Sequence, residues 1–488
     1  MRLGLQHTYS ALPSRFYERV NPTPVVNPQL VVFNDRLARD LGLRPDLIGD
    51  EAAAMFSGNR LPDDADPIAM VYAGHQFGSF VPRLGDGRAI LLGELTGNDG
   101  ALHDVQLKGA GLTPFSRTAD GRAALAPMLR EYLISEAMHA LRIPTTRSLA
   151  VVTTGEQVLR DGPLPGAVLT RVAEGHVRVG TFQYFAARGD RDAVRQLLEY
   201  VIARHFPQAR SAGRPALAVL QEVARRQAAL VAEWMLVGFI HGVMNTDNMA
   251  ISGETIDYGP CAFMDHYDPK TVFSSIDQRG RYAYANQAAI AQWNLARFAE
   301  TLLDLIDADP ERAVQLATEV IQPFIAQFDE RILAGMGRKL GLATPAAGDA
   351  ELIKRLLTAM QNAQADFTLT FRQLTSLART PDEEQPLRAL FTASPDIDAW
   401  LRDWRERLAR DPQTPEERAQ SMRATNPTFI PRNHRVQAAL DAAEGGDYAP
   451  FHKLLGILQH PYDDQPEVSD YALPPEPSER VFQTFCGT

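Results

Sequence analysis

The chain has 488 residues, of which 45% are hydrophobic and 22% are charged, and its formal net charge is −11. This balance is ordinary for a globular protein and excludes the collagen-like, disordered and disulfide-scaffold classes. No apolar run is long enough to span a bilayer, the first residues show no signal-peptide core, and the acidic balance argues against nucleic-acid binding. Two cysteines, Cys261 and Cys486, are too few to staple a chain of this size, so we expect a cytoplasmic protein.

Short strands and glycine turns are predicted between Val71 and Lys108. An Asp-Gly pair between apolar runs favours a hairpin, and this segment carries Asp86-Gly87 and Asp99-Gly100. A helix is expected next, because apolar residues recur at helical spacing before Pro144. These residues are Leu125, Met128, Leu129, Tyr132 and Leu133.

The middle of the chain begins with a predicted strand at 148–152 and then becomes helical. A long helix is predicted over Gln221–Ile240, ended by His241-Gly242, and another over Gln287–Ile306. Residues 310–460 follow an almost continuous helical pattern. The proline-rich end of the chain is expected to be irregular.

An irregular polar patch follows the long helix and contains Asn248 and Asp257. Carboxylate and amide oxygens are ligands that Mg²⁺ accepts beside phosphate oxygens, and a tight hairpin would bring these two side chains together. Asn and Asp are also common turn residues, so turn chemistry is the alternative. The order of His-x-x-x-x-x-Asp-Asn and Asp-Tyr-Gly favours metal binding, as in kinases.

Lys108 ends a predicted strand and is either a solvated lysine or the partner of a helix glutamate. Glu131 on the following helix is the preferred partner, and Glu136 is its competitor.

The loop Gly85-Asp86-Gly87-Arg88 is either a phosphate-binding turn or a bare hairpin. Arg171 and Arg178 could bind phosphates through their guanidinium forks.

Taken together, these segments resemble one family, selenoprotein O, the kinase-like protein adenylyltransferases. The resemblance extends from about residue 10 to the end of the chain and rests on several long strings in the right order. The strings are Tyr72-Ala73-Gly74-His75-Gln76-Phe77-Gly78, Leu84-Gly85-Asp86-Gly87-Arg88-Ala89, Gln106-Leu107-Lys108-Gly109-Ala110-Gly111, Thr113-Pro114-Phe115-Ser116-Arg117, Asp120-Gly121-Arg122-Ala123, Ile143-Pro144-Thr145-Thr146-Arg147, His241-Gly242-Val243-Met244-Asn245-Thr246-Asp247-Asn248 and Asn426-Pro427.

The resemblance implies an α+β, protein-kinase-like fold with a small β-rich N-lobe and a larger helical C-lobe. The parts expected are an N-terminal extension (1–65), the N-lobe (66–147), the C-lobe (148–308), a helical extension (309–460) and a proline-rich tail (461–488). It also implies transfer of AMP from ATP, bound in a flipped orientation, to Ser, Thr or Tyr hydroxyls of protein substrates. Mg²⁺ or Mn²⁺ is the implied metal, and neither nucleic acid nor membrane is an expected partner.

The resemblance assigns roles to matching residues. Lys108 would contact phosphate with Glu131 as its ion-pair support, and Asn248 and Asp257 would bind the metal. Asp247 would act as the base. The nucleotide would also be bound by Gly85, Gly87, Arg88, Asp120, Gly121, Arg171, Arg178 and Asp257.

The catalytic segment departs from the kinase pattern in a way that supports this assignment. A kinase His-Arg-Asp-x-x-x-x-Asn places its catalytic aspartate five residues before the asparagine, and counting back from Asn248 reaches Val243. The nearest carboxylate is Asp247, which could accept a hydroxyl proton if the hydroxyl approaches differently. Three alternatives stay open: ordinary kinase chemistry, a different nucleotide donor such as UTP, and an inactive nucleotide-binding scaffold.

The two cysteines gain a second meaning from the resemblance. Relatives from animals carry selenocysteine in the C-terminal region, which implies a redox role there. We therefore expect that Cys261 and Cys486 can pair reversibly, with the tail as a strap over the cleft and thiol-redox proteins as partners. The alternative is that the two thiols never pair.

Overall fold

The computed structural model describes residues 1–391 and 396–485, apart from the side chains of Leu47 and Asp50. It is a mixed α/β protein whose N-terminal part is rich in strands and whose C-terminal part is helical. The strands in the described part are β1 (Tyr17–Arg19), β2 (Gln29–Phe33), β3 (Ile68–Met70), β4 (Gly74–Gln76), β5 (Ser79–Val81), β6 (Ala89–Thr96), β7 (Leu102–Lys108), β8 (Ala123–Ala124), β9 (Arg147–Leu159), β10 (Pro163–Ala173), β11 (Phe239–Ile240) and β12 (Ala262–Phe263).

One antiparallel sheet dominates the first third of the chain. Its order is β1-β3-β6-β7-β10-β9-β2, and β8 pairs with β10 beside this path. The two outer strands, β1 and β2, both come from the predicted N-terminal extension. The sheet also continues past residue 147, where the lobe boundary was predicted, because β9 and β10 belong to it.

The hairpin predicted at Asp99-Gly100 joins β6 to β7, and Gly100 has the positive φ of 80° that such a turn requires. In the register of β6 and β7, Lys108 at the end of β7 lies opposite Ala89. The hairpin predicted at Asp86-Gly87 is not formed. The strand before it, β5, pairs with β4 instead, so residues 84–88 are an irregular loop that leads into β6.

Helices make up most of the rest of the chain. They are α1 (Asp35–Asp40), α2 (Pro45–Ile48), α3 (Ala52–Phe56), α4 (Leu125–Ala140), α5 (Val179–Ala186), α6 (Arg191–His205), α7 (Pro215–Leu236), α8 (Gln287–Ile306), α9 (Pro310–Ile321), α10 (Phe324–Lys339), α11 (Asp349–Ala363), α12 (Phe367–Arg379), α13 (Gln385–Ala389), α14 (Asp396–Ala409), α15 (Pro415–Thr425), α16 (Asn433–Glu444) and α17 (Ala449–Leu458). Across the described ranges, none has the length and apolar character needed to cross a membrane.

Helices α4 and α8 confirm the sequence prediction, and α8 has the predicted bounds. The long helix α7 differs: it begins at Pro215, where proline suits the first turn, and ends at Leu236. Its predicted last residues leave the helix at Gly238, whose φ is 74°, and Phe239–Ile240 then pairs with Ala262–Phe263 as a short strand pair. This pair fixes the polar segment that follows α7.

Three apolar clusters hold these layers together. One face of the sheet packs on α4 and the helices behind it, with Leu129 and Leu133 fully buried. The other face packs on α1–α3 through residues such as Leu107. The third cluster surrounds Trp400 and Trp404 of α14, which are stacked and almost completely buried, and it also includes Leu236 of α7 and Ile240 of β11, so the C-terminal extension shares a core with the preceding part of the chain.

Two polar contacts tie the C-terminal part to the rest. Arg432 is fully buried and bridges Asp366 and Asp265 at 2.6 and 2.7 Å. Near the end of the described chain, Thr484 donates from Oγ1 to the carbonyl of Pro260 at 2.6 Å. The last segment therefore lies against the loop that contains Cys261, whereas Cys486 lies outside the described residues.

Lys339, at the end of α10, is buried with its ammonium 4.3 Å from the Phe371 ring centroid. Burial lowers the pKa of Lys339 to about 7. The unfolded chain binds this proton more tightly than the folded chain does, so the lysine destabilises the fold increasingly as the pH falls from about 10 to about 7.

We expect Lys339→Met to raise the free energy of unfolding at pH 7 by an amount on the order of 2 kcal/mol, and by less at pH 9.5. Urea unfolding at both pH values measures this difference. Lys354→Met, at an exposed position of α11, is the matched control and should show no such pH dependence. An equal gain in the free energy of unfolding at both pH values would contradict the lowered pKa of Lys339.

Candidate active site

The structure brings Lys108 and Glu131 together at the centre of the sheet. Lys108 ends β7, Glu131 lies on the second turn of α4, and Lys108 Nζ is 2.6 Å from Glu131 Oε2. Only 2% of the Glu131 side chain is exposed. Glu136, the competing partner, binds Arg147 and the amide of Ser148 instead.

Two arginines extend this pair into a buried ion cluster. Arg171, on β10 beside β7, contacts Glu131 Oε1 and Asp257 Oδ1, each at 2.6 Å. Arg178, just before α5, contacts Asp257 Oδ2 at 2.6 Å, and Lys108 Nζ lies 3.3 Å from Asp257 Oδ1. Three cations thus contact two carboxylates directly, and the carboxylates of Asp86 and Asp247 lie near enough to interact with the charge of Arg178.

The cluster shifts the acidity of its members. Burial raises the pKa of Asp257, but Arg171, Arg178 and Lys108 outweigh it and hold that pKa well below its ordinary value. Burial likewise opposes the effect of Arg171 and Lys108 on Glu131, whose pKa is lowered on balance. The pKa of Lys108 is lowered by burial, against the attraction of Glu131. Both carboxylates are therefore ionised at neutral pH.

Asp247 lies beside this cluster. Its main-chain carbonyl accepts a hydrogen bond from Arg178 NH1 at 2.7 Å, the same nitrogen that contacts Asp257. Burial raises the pKa of Asp247 to about 6, although the Gln76 amide opposes this by donating to Oδ2 at 3.2 Å. Asp247 is therefore mostly ionised at neutral pH and is a stronger base than an exposed aspartate.

Asn248 follows Asp247 in the same short turn and has an orientation suited to a cation. Its Nδ2 donates to the carbonyl of Val243 at 3.0 Å, so Oδ1 is the atom directed away from that bond. Asp257 has a left-handed backbone, with φ of 63°, and its side chain is 21% exposed. Among residues 1–391 and 396–485, no group of three His, Cys, Asp or Glu side chains could hold a metal. An amide and a carboxylate fit Mg²⁺ that takes its other ligands from phosphate and water.

The glycine loop at 84–88 is folded tightly against Phe115. A Cβ at Gly85, whose φ is 82°, would lie 2.5 Å from the Phe115 ring, and one at Gly87 would lie 3.0 Å from the Phe115 carbonyl oxygen. Gly85 therefore requires glycine, and Gly87 leaves little room for a side chain. The Arg88 carbonyl accepts from the amide of Gly109, next to Lys108, and the charge of Arg88 lowers the pKa of Lys108.

Asp120 and Gly121 lie in the loop between Lys108 and α4, where Asp120 is exposed and Gly121 is buried. Asp120 pairs with Arg160 at 2.8 Å, and a Cβ at Gly121 would overlap the backbone of Gly111. Their predicted contact with nucleotide is not part of the ion cluster and stays a prediction.

Sequence reasoning missed several residues around Asp247. The β4–β5 hairpin contacts it through Gln76, and the ring of Tyr72 lies 4.7 Å from the Arg178 guanidinium. Both belong to the string Tyr72–Gly78, but neither is a charged or metal-binding residue type. Cys261 is buried, and its carbonyl accepts from Arg130 on α4.

Comparison with known proteins gives a consistent result. The family model described as protein adenylyltransferase SelO matches residues 1–459. A protein nucleotidyltransferase YdiU of Rhizobium meliloti is 58% identical over 483 residues, which cover 99% of both chains. The proteins of the same name from Bradyrhizobium sp. strain BTAi1 and Rhodopseudomonas palustris are 59% and 58% identical, over 99% of this chain and 99% and 98% of theirs. The chain therefore belongs to the SelO family of protein adenylyltransferases.

Proposed function

We propose that this enzyme transfers AMP from ATP to Ser, Thr or Tyr hydroxyls of other proteins, in the cleft of a kinase-like, two-lobed fold. The observation that carries the proposal is the buried cluster in which Lys108, Arg171 and Arg178 surround Glu131 and Asp257. Its three cations are suited to the oxygens of a polyphosphate. The nearby Asp247 supplies a carboxylate for the acceptor hydroxyl.

The cluster supports a nucleotide orientation unlike that of active kinases. The Lys108–Glu131 pair and Asp257 correspond to the kinase lysine, glutamate and metal-binding aspartate. Here two arginines, Arg171 and Arg178, also contact Asp257. A flipped ATP would place its β- and γ-phosphates against Arg171 and Arg178 and leave the α-phosphorus open to attack.

The proposed reaction follows from these positions. Asp247 accepts the proton of the acceptor hydroxyl, whose oxygen attacks the α-phosphorus, and pyrophosphate leaves. Arg171, Arg178 and Lys108 neutralise the charge that develops on the leaving group. Asn248 and Asp257 would hold Mg²⁺, or Mn²⁺, which when bound supplies further neutralisation of the phosphate oxygens. The loop of Gly85, Gly87 and Arg88 would line the nucleotide, as would Asp120 and Gly121.

One observation favours a second donor. The similar proteins carry the broader name nucleotidyltransferase, which does not specify ATP. UTP therefore remains the second candidate. We place the enzyme in the cytoplasm, as the low cysteine content suggests.

ATP labelled at the α-phosphate should transfer its label to the enzyme itself or to casein as a bulk hydroxyl acceptor. The same assay with γ-labelled ATP should leave the protein unlabelled, because pyrophosphate carries that label away. Electrophoresis and intact mass measure the outcome, and a competing excess of UTP tests the second donor. Label from γ-labelled ATP alone would show kinase chemistry instead.

Asp257→Ala should lower α-label transfer by about 100-fold or more, since it removes the predicted metal ligand and the partner of three cations. Asp46→Ala, an exposed aspartate on α2, is the control and should leave transfer unchanged. Retained transfer in Asp257→Ala, with the metal present, would remove Asp257 from the mechanism.

We also propose that Cys261 and Cys486 form a reversible disulfide that is opened and closed by thiol–disulfide exchange with thiol-redox proteins. The contact of Thr484 with Pro260 supports this, because it brings the end of the described chain beside Cys261. The strap would then cross the loop that follows Asp257.

Reduction should increase α-label transfer by the wild type and have no effect on Cys486→Ser, in which the strap cannot be closed. Transfer rates with and without dithiothreitol measure this, and peptide mapping under non-reducing conditions identifies the bond. Equal rates for the oxidised and reduced wild type would rule the switch out.

A further inference from the structure

The β4–β5 hairpin lies directly on the segment that contains Asp247. Three successive hairpin residues each bind one residue of that segment: the amide of His75 donates to Thr246 Oγ1 at 2.7 Å, Gln76 Nε2 donates to Asp247 Oδ2 at 3.2 Å, and the amide of Phe77 donates to Asn245 Oδ1 at 3.0 Å. About 170 residues of chain separate the partners. The hairpin therefore packs on the predicted catalytic segment through three successive residues at the end of its first strand and at its tip.

Close packing leaves the Asp247 carboxylate little freedom. A Cβ at Gly74 would overlap Asp247 Oδ1 and would lie 2.9 Å from its Cβ and Cγ. On the other side, a Cβ at Gly180 of α5 would overlap the Ala73 carbonyl oxygen and lie 3.3 Å from Asp247 Cα. Asp247 is thus enclosed between the start of the hairpin and the start of α5, where glycines make room for it.

The hairpin tip is held in an uncommon conformation. Phe77 has φ of 52°, a region that bulky residues rarely adopt, and Gly78 follows with φ of 87°. The Phe77 ring lies 5.2 Å from that of Tyr282, and the Tyr282 hydroxyl and the Phe77 amide both donate to Asn245 Oδ1. Strain of this kind persists where surrounding contacts impose it, commonly at functional sites.

The two carboxylate oxygens of Asp247 are not equivalent. Oδ1 is buried against the hairpin and, within the described residues, accepts no hydrogen bond. Oδ2 accepts from Gln76, and a carboxylate oxygen has a second lone pair. Since Oδ1 is sealed off, Oδ2 is the oxygen whose free lone pair is left to accept a further proton.

We propose that Gln76 is a positioning residue: it fixes the rotation of the Asp247 carboxylate so that the free lone pair of Oδ2 is directed at the acceptor hydroxyl, while Gly74 leaves the space for Oδ1. This inference rests on the proposed role of Asp247 as the base. The hairpin then sets the geometry of proton removal without itself contacting the reacting atoms. A misdirected carboxylate slows the chemical step and leaves nucleotide binding intact.

Two variants of the full-length enzyme test this with α-labelled ATP as donor and casein as acceptor. Gln76→Leu keeps the side-chain size and removes the donor. Gly74→Ala places a methyl group against Oδ1 at a position where φ is not left-handed, so its backbone accepts alanine. Each should lower the rate at saturating ATP by about 10- to 100-fold, with the half-saturating ATP concentration changed by less than about twofold.

Ser79→Ala is the matched control, because Ser79 is exposed and lies opposite Gln76 in the hairpin register. It should leave both kinetic constants and the melting temperature unchanged. A merely structural role for Gln76 would instead lower the melting temperature and weaken ATP binding together, and that pattern would overturn the proposal.

Combination with Asp247→Asn separates the inference from the function on which it rests. In the Asp247→Asn background, Gln76→Leu should change the residual rate by less than about twofold, because the route through Asp247 is already lost. If the two substitutions together lowered the rate by the product of their separate losses, the positioning role would be overturned. An active Asp247→Asn enzyme would overturn the base assignment itself, whereas an inactive Asp247→Asn with a fully active Gln76→Leu would overturn only the inference. If the rate of Asp247→Asn is too low to measure, the Gln76→Leu and Gly74→Ala single variants test the positioning role.

Discussion

The burial of the Asp257 carboxylate is the constraint on which the site depends. An ionised carboxylate that is largely removed from water needs partners, and here Lys108, Arg171 and Arg178 all contact Asp257, whose side chain is 21% exposed. Each partner comes from a different element: β7, β10 and the residue before α5. The sheet, the helix that carries Glu131 and the loop after α7 must therefore all be in place before the charges balance.

This arrangement links folding to chemistry. Lys108, Arg171 and Arg178 converge on Asp257, so the cations that complete the folded cluster are also the ones that would meet an anionic ligand. A site of this kind is preorganised, since its donors need little reorientation when a phosphate arrives. The price of such preorganisation is a strong demand for exact packing, as the glycines at 74, 85, 87 and 180 show.

Local sequence signals predicted the elements that depend on neighbouring residues. Helical spacing located α4 and α8, and Asp99-Gly100 located the β6–β7 hairpin, because helix faces and tight turns are set within a few residues. The same reasoning failed at Asp86-Gly87, where pairing with β4 takes β5 away from β6, and at the end of α7, where a strand pair with Ala262–Phe263 ends the helix early. The contact of Gln76 with Asp247 could not be predicted, since it joins uncharged and distant parts of the chain.

The outer strands of the sheet have a consequence for the way its edges meet other molecules. Both β1 and β2 come from the first 33 residues, and they cover the edges of β3 and β9 respectively. A sheet edge with unpaired amides and carbonyls is a template for strands of other molecules. The N-terminal segment therefore supplies both edges as short strands of three and five residues, and loss of this segment would expose the 13-residue β9 to intermolecular strand addition at one edge.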